Sequence, residues 1–77
     1  MEIKVGMCFK DDYNFYKVIR IEGKISFLLF KINTKNKWWY TYYGSFSLLE
    51  INEFLEPIST EEFNKEFDKF VEKIKNV

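Results

Sequence analysis

The sequence contains no histidine, no alanine and no glutamine, and it has one cysteine and one proline among its 77 residues. Without histidine, the commonest general base near neutral pH is missing, and neither a Ser-His-Asp triad nor a Cys-His pair can form. The lone Cys8 excludes an internal disulfide and is typical of a reducing compartment, so we expect a cytoplasmic protein. The three glycines are isolated and form no phosphate-binding loop. These absences predict a non-enzymatic protein that uses no cofactor and no metal.

Long hydrophobic runs are also missing. The longest, FLLF at residues 27–30, is far shorter than the roughly 20 residues that span a bilayer, so we expect no membrane segment. No basic patch followed by an apolar run marks a signal peptide. Aromatic residues nevertheless make up 21% of the chain, and each can bury roughly 150–250 Å². The composition therefore predicts one compact domain.

The stretch WWYTYY is the most unusual part of the chain. Five of its six residues are aromatic and the sixth is β-branched, a composition that favours an extended strand. Alternation along a strand places Trp38, Tyr40 and Tyr42 on one face, and Trp39 and Tyr43 on the other. One face can enter the core, whereas the other meets a helix, a partner or water. A strand of this kind at a sheet edge can also pair with its own copy.

Period-two patterns predict four strands, in residues 1–10, 15–22, 25–32 and 38–43. The first is expected to begin at Ile3 or Val5. A glycine in the short loop after residue 22 predicts a hairpin between the second and third strands. The third strand, from Ile25 onward, is apolar on both faces and is expected in the middle of the structure. Gly44 and Ser45 are expected to end the fourth strand.

Two capping boxes predict helices. Ser47, followed three residues later by glutamate, starts a short helix over residues 47–56, and Pro57 stops it. Ser59, again followed by glutamate at the third position, starts a C-terminal helix over residues 59–76. An apolar stripe on this helix is expected to pack on the sheet: Phe63, Phe67, Phe70, Val71 and Ile74.

The predicted fold class is thus α+β. Residues 1–46 form a small, bent antiparallel sheet or an SH3-like barrel of about four strands. A short helical turn and an amphipathic C-terminal helix follow.

The net charge is zero, but the charges are unevenly distributed. Residues 1–39 carry eight basic and four acidic side chains, whereas residues 40–77 carry four basic and eight acidic ones. Aromatic residues are enriched at protein interfaces, and an acidic segment can occupy a basic groove on a target. We therefore predict a protein-binding module, with these residues at the interface: Trp38, Trp39, Tyr40, Tyr42, Tyr43, Glu50, Glu53 and Glu56.

Two alternatives remain open. In the first, the aromatic strand stacks bases of a single-stranded nucleic acid and nearby cations hold its phosphates; the cations are Lys17, Arg20, Lys24, Lys31, Lys35 and Lys37. In the second, the C-terminal helix covers the free aromatic face and the charges are simply solvated.

The layout resembles an SH3-like small barrel with a helical extension. The segments that carry the resemblance are Gly6-x-x-Phe9, residues 16–21, the hairpin at Gly23, and residues 54–63. The same layout is similar to small accessory proteins of phages and mobile elements, a group that includes anti-CRISPR and other anti-defence inhibitors. The resemblance implies a non-catalytic cytoplasmic protein that acts by binding, for example by inhibiting a host nucleic-acid-processing complex. It assigns no functional residue.

Overall fold

The computed structural model describes residues 2–34 and 40–75. They form a five-stranded antiparallel sheet and two helices, in the order β1 (Cys8–Lys10), β2 (Asn14–Ile21), β3 (Ser26–Asn33), β4 (Tyr40–Ser47), α1 (Leu48–Phe54), β5 (Glu56–Ile58) and α2 (Thr60–Lys75). The spatial order is β4-β3-β2-β1-β5, so β1 to β4 form a meander and β5 pairs with β1. The predicted α+β class is confirmed. Within the described residues the sheet is open, with β4 and β5 at its edges, so the barrel alternative is not confirmed.

The sheet separates two hydrophobic clusters. The face toward α1, called the α1 face, carries the larger cluster: Ile3, Phe9, Tyr16, Val18, Phe27, Leu29, Ile51 and Leu55. The opposite face, called the α2 face, carries Cys8, Ile32 and Phe63, with partly buried Phe15, Phe30, Ile58, Phe67 and Phe70 around them. The three phenylalanines of the predicted α2 stripe therefore pack on the sheet, as the sequence indicates.

β3 is buried from both sides, which confirms its predicted central role. Phe27 and Leu29 belong to the α1-face cluster, whereas Phe30 and Ile32 belong to the α2-face cluster. The prediction was wrong for Ile25, which precedes β3 and is 66% exposed. The tight turn after β2 ends only at Ser26, whose carbonyl accepts a hydrogen bond from the N–H of Glu22 at 2.9 Å.

Both predicted serine caps are present. The Ser47 hydroxyl accepts the N–H of Glu50 at 3.1 Å, and the Glu50 carboxylate accepts the N–H of Ser47 at 3.1 Å, which completes a capping box. The Ser59 hydroxyl likewise accepts the N–H of Glu62 at 3.1 Å. α1 ends at Phe54, before the predicted residue 56, because the next residues form β5.

The predicted first strand was wrong over residues 3–7. The chain turns there: the N–H of Met7 donates to the carbonyl of Lys4 at 3.1 Å, and Gly6 has a φ of +94°. Val5, expected to lie on an apolar strand face, is 60% exposed. The turn removes the alternation that the sequence suggests, so the strand is only Cys8–Lys10.

At the two edges of the sheet, the observed element boundaries also differ from the predicted ones. Gly44 and Ser45 do not end β4, because they pair with Leu29 and Leu28 and the strand continues to Ser47. Pro57, predicted only to stop the short helix, lies in β5, where its pairing partner is Phe9. An edge strand tolerates proline because one side of it needs no backbone donor.

Candidate functional site

An apolar groove runs between α2 and the outer part of the sheet. α2 packs against β1, β2 and β3, whereas Tyr43 on β4 stays 63% exposed. The space between them has a volume of about 290 Å³. We call it the aromatic groove; it is lined by Lys17, Ile19, Phe30, Tyr43, Phe63, Asn64 and Phe67.

Phe30 is the centre of this groove. Its ring centroid lies 5.5 Å from that of Tyr43, 5.9 Å from Phe67 and 6.4 Å from Phe63. The Phe63 and Phe67 rings are stacked at 6.3 Å. These separations and tilted orientations are those of attractive aromatic pairs. The floor and one wall are therefore preformed, which lowers the entropic cost of binding a ligand.

Ile19 lies at a β-bulge and lines the groove. The pairing register between β2 and β3 shifts between Val18 and Arg20, so Ile19 has no direct partner on β3. Strand alternation places Ile19 on the same face of the sheet as Lys17. Val18 is fully buried, whereas its neighbour Ile19 is 37% exposed and lines the groove.

Lys17 is the charged residue of the groove. Its Nζ lies 5.8 Å from the centre of the Phe63 ring, within the range of a cation–π contact. No carboxylate of residues 2–34 and 40–75 lies within salt-bridge distance of it. Lys17 is half-buried, and its ammonium group therefore remains available to an anionic group of a ligand.

Cys8 lies in the α2-face cluster, where burial favours the protonated form of its thiol. Burial raises the pKa of its thiol, although the charge of Lys17 and a hydrogen bond with Thr60 act in the opposite direction. A thiol with a raised pKa stays protonated, and the thiolate is the reactive form. The residue is a small buried apolar group.

The predicted aromatic interface is only partly described. Trp38 and Trp39 lie outside the described residues. Tyr40 and Tyr42 pair with β3 through their backbones. Tyr43 is the member of this set that the structure places in the groove.

The three predicted acidic contacts lie away from the aromatic groove. Glu50 and Glu53 are exposed on α1, and the carboxylate of Glu50 is engaged in the helix cap. Glu56 lines a second cavity of about 560 Å³ beside Phe54, which is 69% exposed. The other residues around this cavity are Lys10, Asp11, Asp12 and Phe15.

The predicted cations do not share one surface. In the β2–β3 ladder, Lys17 pairs with Phe30, and the neighbouring pair is Tyr16 with Lys31. The two lysines therefore point to opposite faces of the sheet. Lys17 lies on the α2 face, whereas Lys31 Nζ lies 5.7 Å from the Tyr16 ring on the α1 face.

The remaining predicted cations lie elsewhere. Arg20 forms an ion pair with Glu22 at 3.1 Å, and Lys24 is exposed in the turn between β2 and β3. Lys35 and Lys37 lie outside the described residues. Lys17 is thus the member of this set that lines the aromatic groove.

Sequence reasoning missed Ile19 and Phe30 as groove residues. Strand alternation puts Ile19 on the same face as Lys17, but it does not show that the helix leaves this residue 37% exposed. Phe30 was assigned to a buried strand face, which is correct, but α2 leaves the side of its ring toward Tyr43 uncovered. Only the position of α2 on the sheet shows which parts of these two residues are left uncovered.

Comparison with known proteins gives no relative to guide the assignment: no family model, curated protein or solved structure matches the chain significantly. In the described part of the chain, no helix is long and apolar enough to cross a membrane. The same residues contain no group of three or more potential metal ligands placed together. The aromatic groove is therefore the feature from which a function can be inferred.

Proposed function

We propose that this chain is a non-enzymatic protein-binding module and that the aromatic groove is its binding surface. The observation that carries the proposal is the position of Tyr43, which is 63% exposed at the rim of an apolar groove. Exposed aromatic residues beside a preformed apolar pocket are typical of interface hot spots. A partner would insert an apolar or aromatic side chain against Phe30 and Phe67.

Lys17 defines the chemistry of that partner more closely. Its ammonium group lies at the groove without a carboxylate partner among the described residues. An acidic residue next to the inserted side chain would form a partly desolvated ion pair with it, which is stronger than a fully exposed one. We therefore propose a peptide segment with an apolar anchor and an adjacent carboxylate.

Selection from a random peptide library displayed on phage tests this proposal. We expect the wild-type protein to enrich peptides that combine an aromatic or large aliphatic residue with aspartate or glutamate. The selected peptides should bind at least about tenfold more weakly to Tyr43→Ala, because one hot-spot side chain contributes about 2 kcal/mol. Tyr13→Ala is the matched control, since Tyr13 is also exposed but lies outside the groove. Peptides that bind wild type and Tyr43→Ala equally would contradict the proposal.

The more specific version is that the module inhibits a host nucleic-acid-processing or defence complex by occupying one of its surfaces. The surface around Phe54 and Glu56, which also carries Asp11 and Asp12, supports this version because acidic and apolar groups lie together there. Such a surface is complementary to a basic groove. If the peptides selected above match segments of nucleic-acid-processing enzymes, this version gains support, whereas matches confined to other classes of protein count against it.

Single-stranded nucleic-acid binding is the second candidate, favoured by the presence of Lys17 and the exposed Tyr43 in one groove. A base would stack on the tyrosine and a phosphate would contact the lysine. Fluorescence anisotropy with labelled oligo(dT) and oligo(U) over a range of salt concentrations tests it, because phosphate contacts weaken as salt rises. Lys17→Ala should weaken this binding more than Lys24→Ala, its exposed counterpart in the β2–β3 turn. Absence of binding at low salt would exclude the candidate.

A further inference from the structure

Among residues 2–34 and 40–75, no strand pairs with the outer edge of β4. The N–H of Leu48 donates to the carbonyl of Ile25 at 2.8 Å, and the β3–β4 register continues from this pair without a shift. In an antiparallel ladder, every second residue directs its N–H and C=O to the same neighbour. Gly44 therefore bonds toward β3, whereas Tyr43 and Ser45 direct their N–H and C=O groups away from the sheet.

The two edges of the sheet differ in how strongly they hinder pairing with another strand. β5 is only three residues long and carries Glu56 and Pro57, both of which hinder pairing with another strand. β4 is eight residues long, and its sequence YTYYGSFS contains no charge and no proline. A long, uncharged edge of this kind is a template for another strand.

We propose that β4 pairs antiparallel with β4 of a second copy of this chain. The two-fold axis would lie close to Tyr43–Ser45 and perpendicular to the sheet. The strand suits its own copy because none of its own side chains is charged, so β4 places no like charges opposite each other across the new ladder. Such an interface is isologous, with Tyr43 and Ser45 on both sides of it. The two five-stranded sheets then become one continuous sheet.

This pairing completes the aromatic groove. A two-fold axis perpendicular to the sheet keeps both α2 helices on the same side, so the two grooves open toward each other. The two β3 strands are then three strand spacings apart, roughly 14 Å. Tyr43 of each copy forms part of the floor of a single trough between the helices. The proposal rests on the backbone edge of β4, and it stands whether or not the groove binds a foreign peptide.

The first experiment combines mass and amide hydrogen exchange for the full chain. At high protein concentration we expect twice the 9.4 kDa mass of one chain, and at high dilution we expect the mass of one chain. In the dimer, the amides of Tyr43 and Ser45 should gain protection that they lose on dilution. The amide of Gly44, already bonded to β3, should stay protected in both states. This alternating pattern distinguishes strand pairing from association through any other surface.

The second experiment compares Ser45→Pro with Ser45→Ala. Both lose the hydrogen bond from the Ser45 hydroxyl to Glu22, but only proline removes the outward N–H. We expect Ser45→Ala to dimerise and Ser45→Pro to be monomeric. Helical circular dichroism checks that both variants are folded, and if Ser45→Pro does not fold, the exchange pattern of the wild-type protein decides. A single-chain mass at every concentration overturns the proposal, and so does a dimer in which the amides of Tyr43 and Ser45 remain unprotected.

Discussion

Tyr43 and Phe30 face each other across the β3–β4 ladder with their ring centroids 5.5 Å apart, yet the two residues have different environments. Phe30 contacts Phe63 and Phe67 of α2 and is half-buried, whereas Tyr43 is 63% exposed. The pair therefore links the folded core to a surface that has no cover in the described part of the chain. We therefore expect Phe30 to contribute mainly to the stability of the fold and Tyr43 mainly to the binding of a partner.

The first prediction concerns the different contributions of Phe30 and Tyr43 to stability. Phe30→Ala should lower the free energy of unfolding by about 3 kcal/mol, because it removes a half-buried ring that three other rings contact. Tyr43→Ala should lower it by only about 1 kcal/mol, the size of one aromatic pair. Urea unfolding followed by circular dichroism measures both values. Equal losses would show that Tyr43 is part of the core and would remove the basis for the groove proposal.

The second prediction concerns the turn before β1. Gly6 has a φ of +94°, a conformation that side chains with a Cβ atom adopt only with strain. Gly6→Ala should therefore cost about 1–3 kcal/mol of stability. Gly23→Ala is the matched control, because Gly23 has no positive φ and a Cβ atom added there meets no neighbour within 4 Å. A similar effect at both positions would contradict the explanation by backbone strain.

The third prediction concerns the pH dependence of stability. Burial acts to raise the pKa of Asp11, but hydrogen bonds from the Tyr16 hydroxyl at 2.7 Å, from the N–H of Tyr13 and from Asn14 outweigh it, and the pKa is lowered. A carboxyl group with a lower pKa in the folded state stabilises the fold above its unfolded pKa of about 3.9. This contribution is lost as the pH falls through the folded pKa.

Carboxyl NMR titration tests this assignment directly. Tyr16→Phe should raise the pKa of Asp11 toward its ordinary value and flatten the loss of stability in acid, because it removes the hydroxyl donor. Tyr13→Phe is the control, since Tyr13 donates to Asp11 through its backbone N–H, which the variant keeps. An unchanged Asp11 titration in Tyr16→Phe would show that the hydroxyl does not stabilise the carboxylate.

The fourth prediction concerns the reactivity of Cys8. The residue is 3% exposed, and burial raises the pKa of its thiol. Alkylation of the native protein should therefore proceed only through opening of the structure, and its rate should rise as urea lowers the free energy of opening. The unfolded protein, which exposes the same single thiol, provides the reference rate. A native rate close to that reference would contradict a buried, protonated thiol.

Local signals in the sequence were sufficient for the helices. Ser47 and Ser59 mark the starts of α1 and α2, and capping depends only on residues within one turn. The stripe through Phe63 and Phe67 correctly predicts which face of α2 is buried, because helical periodicity fixes relative side-chain direction. β3 was also predictable, since apolar residues on both faces require two covering layers.

Local signals were misleading where a non-local contact decides the conformation. Apolar alternation from Ile3 to Phe9 suggests one strand, but the turn at Gly6 interrupts it, and the Gly6 N–H donates to the carbonyl of Val18 at 2.8 Å. Pro57 has the sequence character of a helix stop, yet pairing with Phe9 makes it part of β5. A three-residue strand is stable only beside its partner strand, so it cannot be predicted from its own residues.

By itself, the sequence determined that this protein has neither histidine nor a second cysteine for the usual catalytic and disulfide chemistry, that two capped helices form, and that its aromatic residues are numerous enough to build a core. Only the tertiary structure decided which aromatic residues are exposed. α2 packs on β1, β2 and β3, so Phe30 is half-buried, whereas Tyr43 on β4 is 63% exposed at the rim of the groove. The physical reason is that periodicity fixes the direction of a side chain relative to its own strand or helix, whereas its exposure depends on which distant element packs against it.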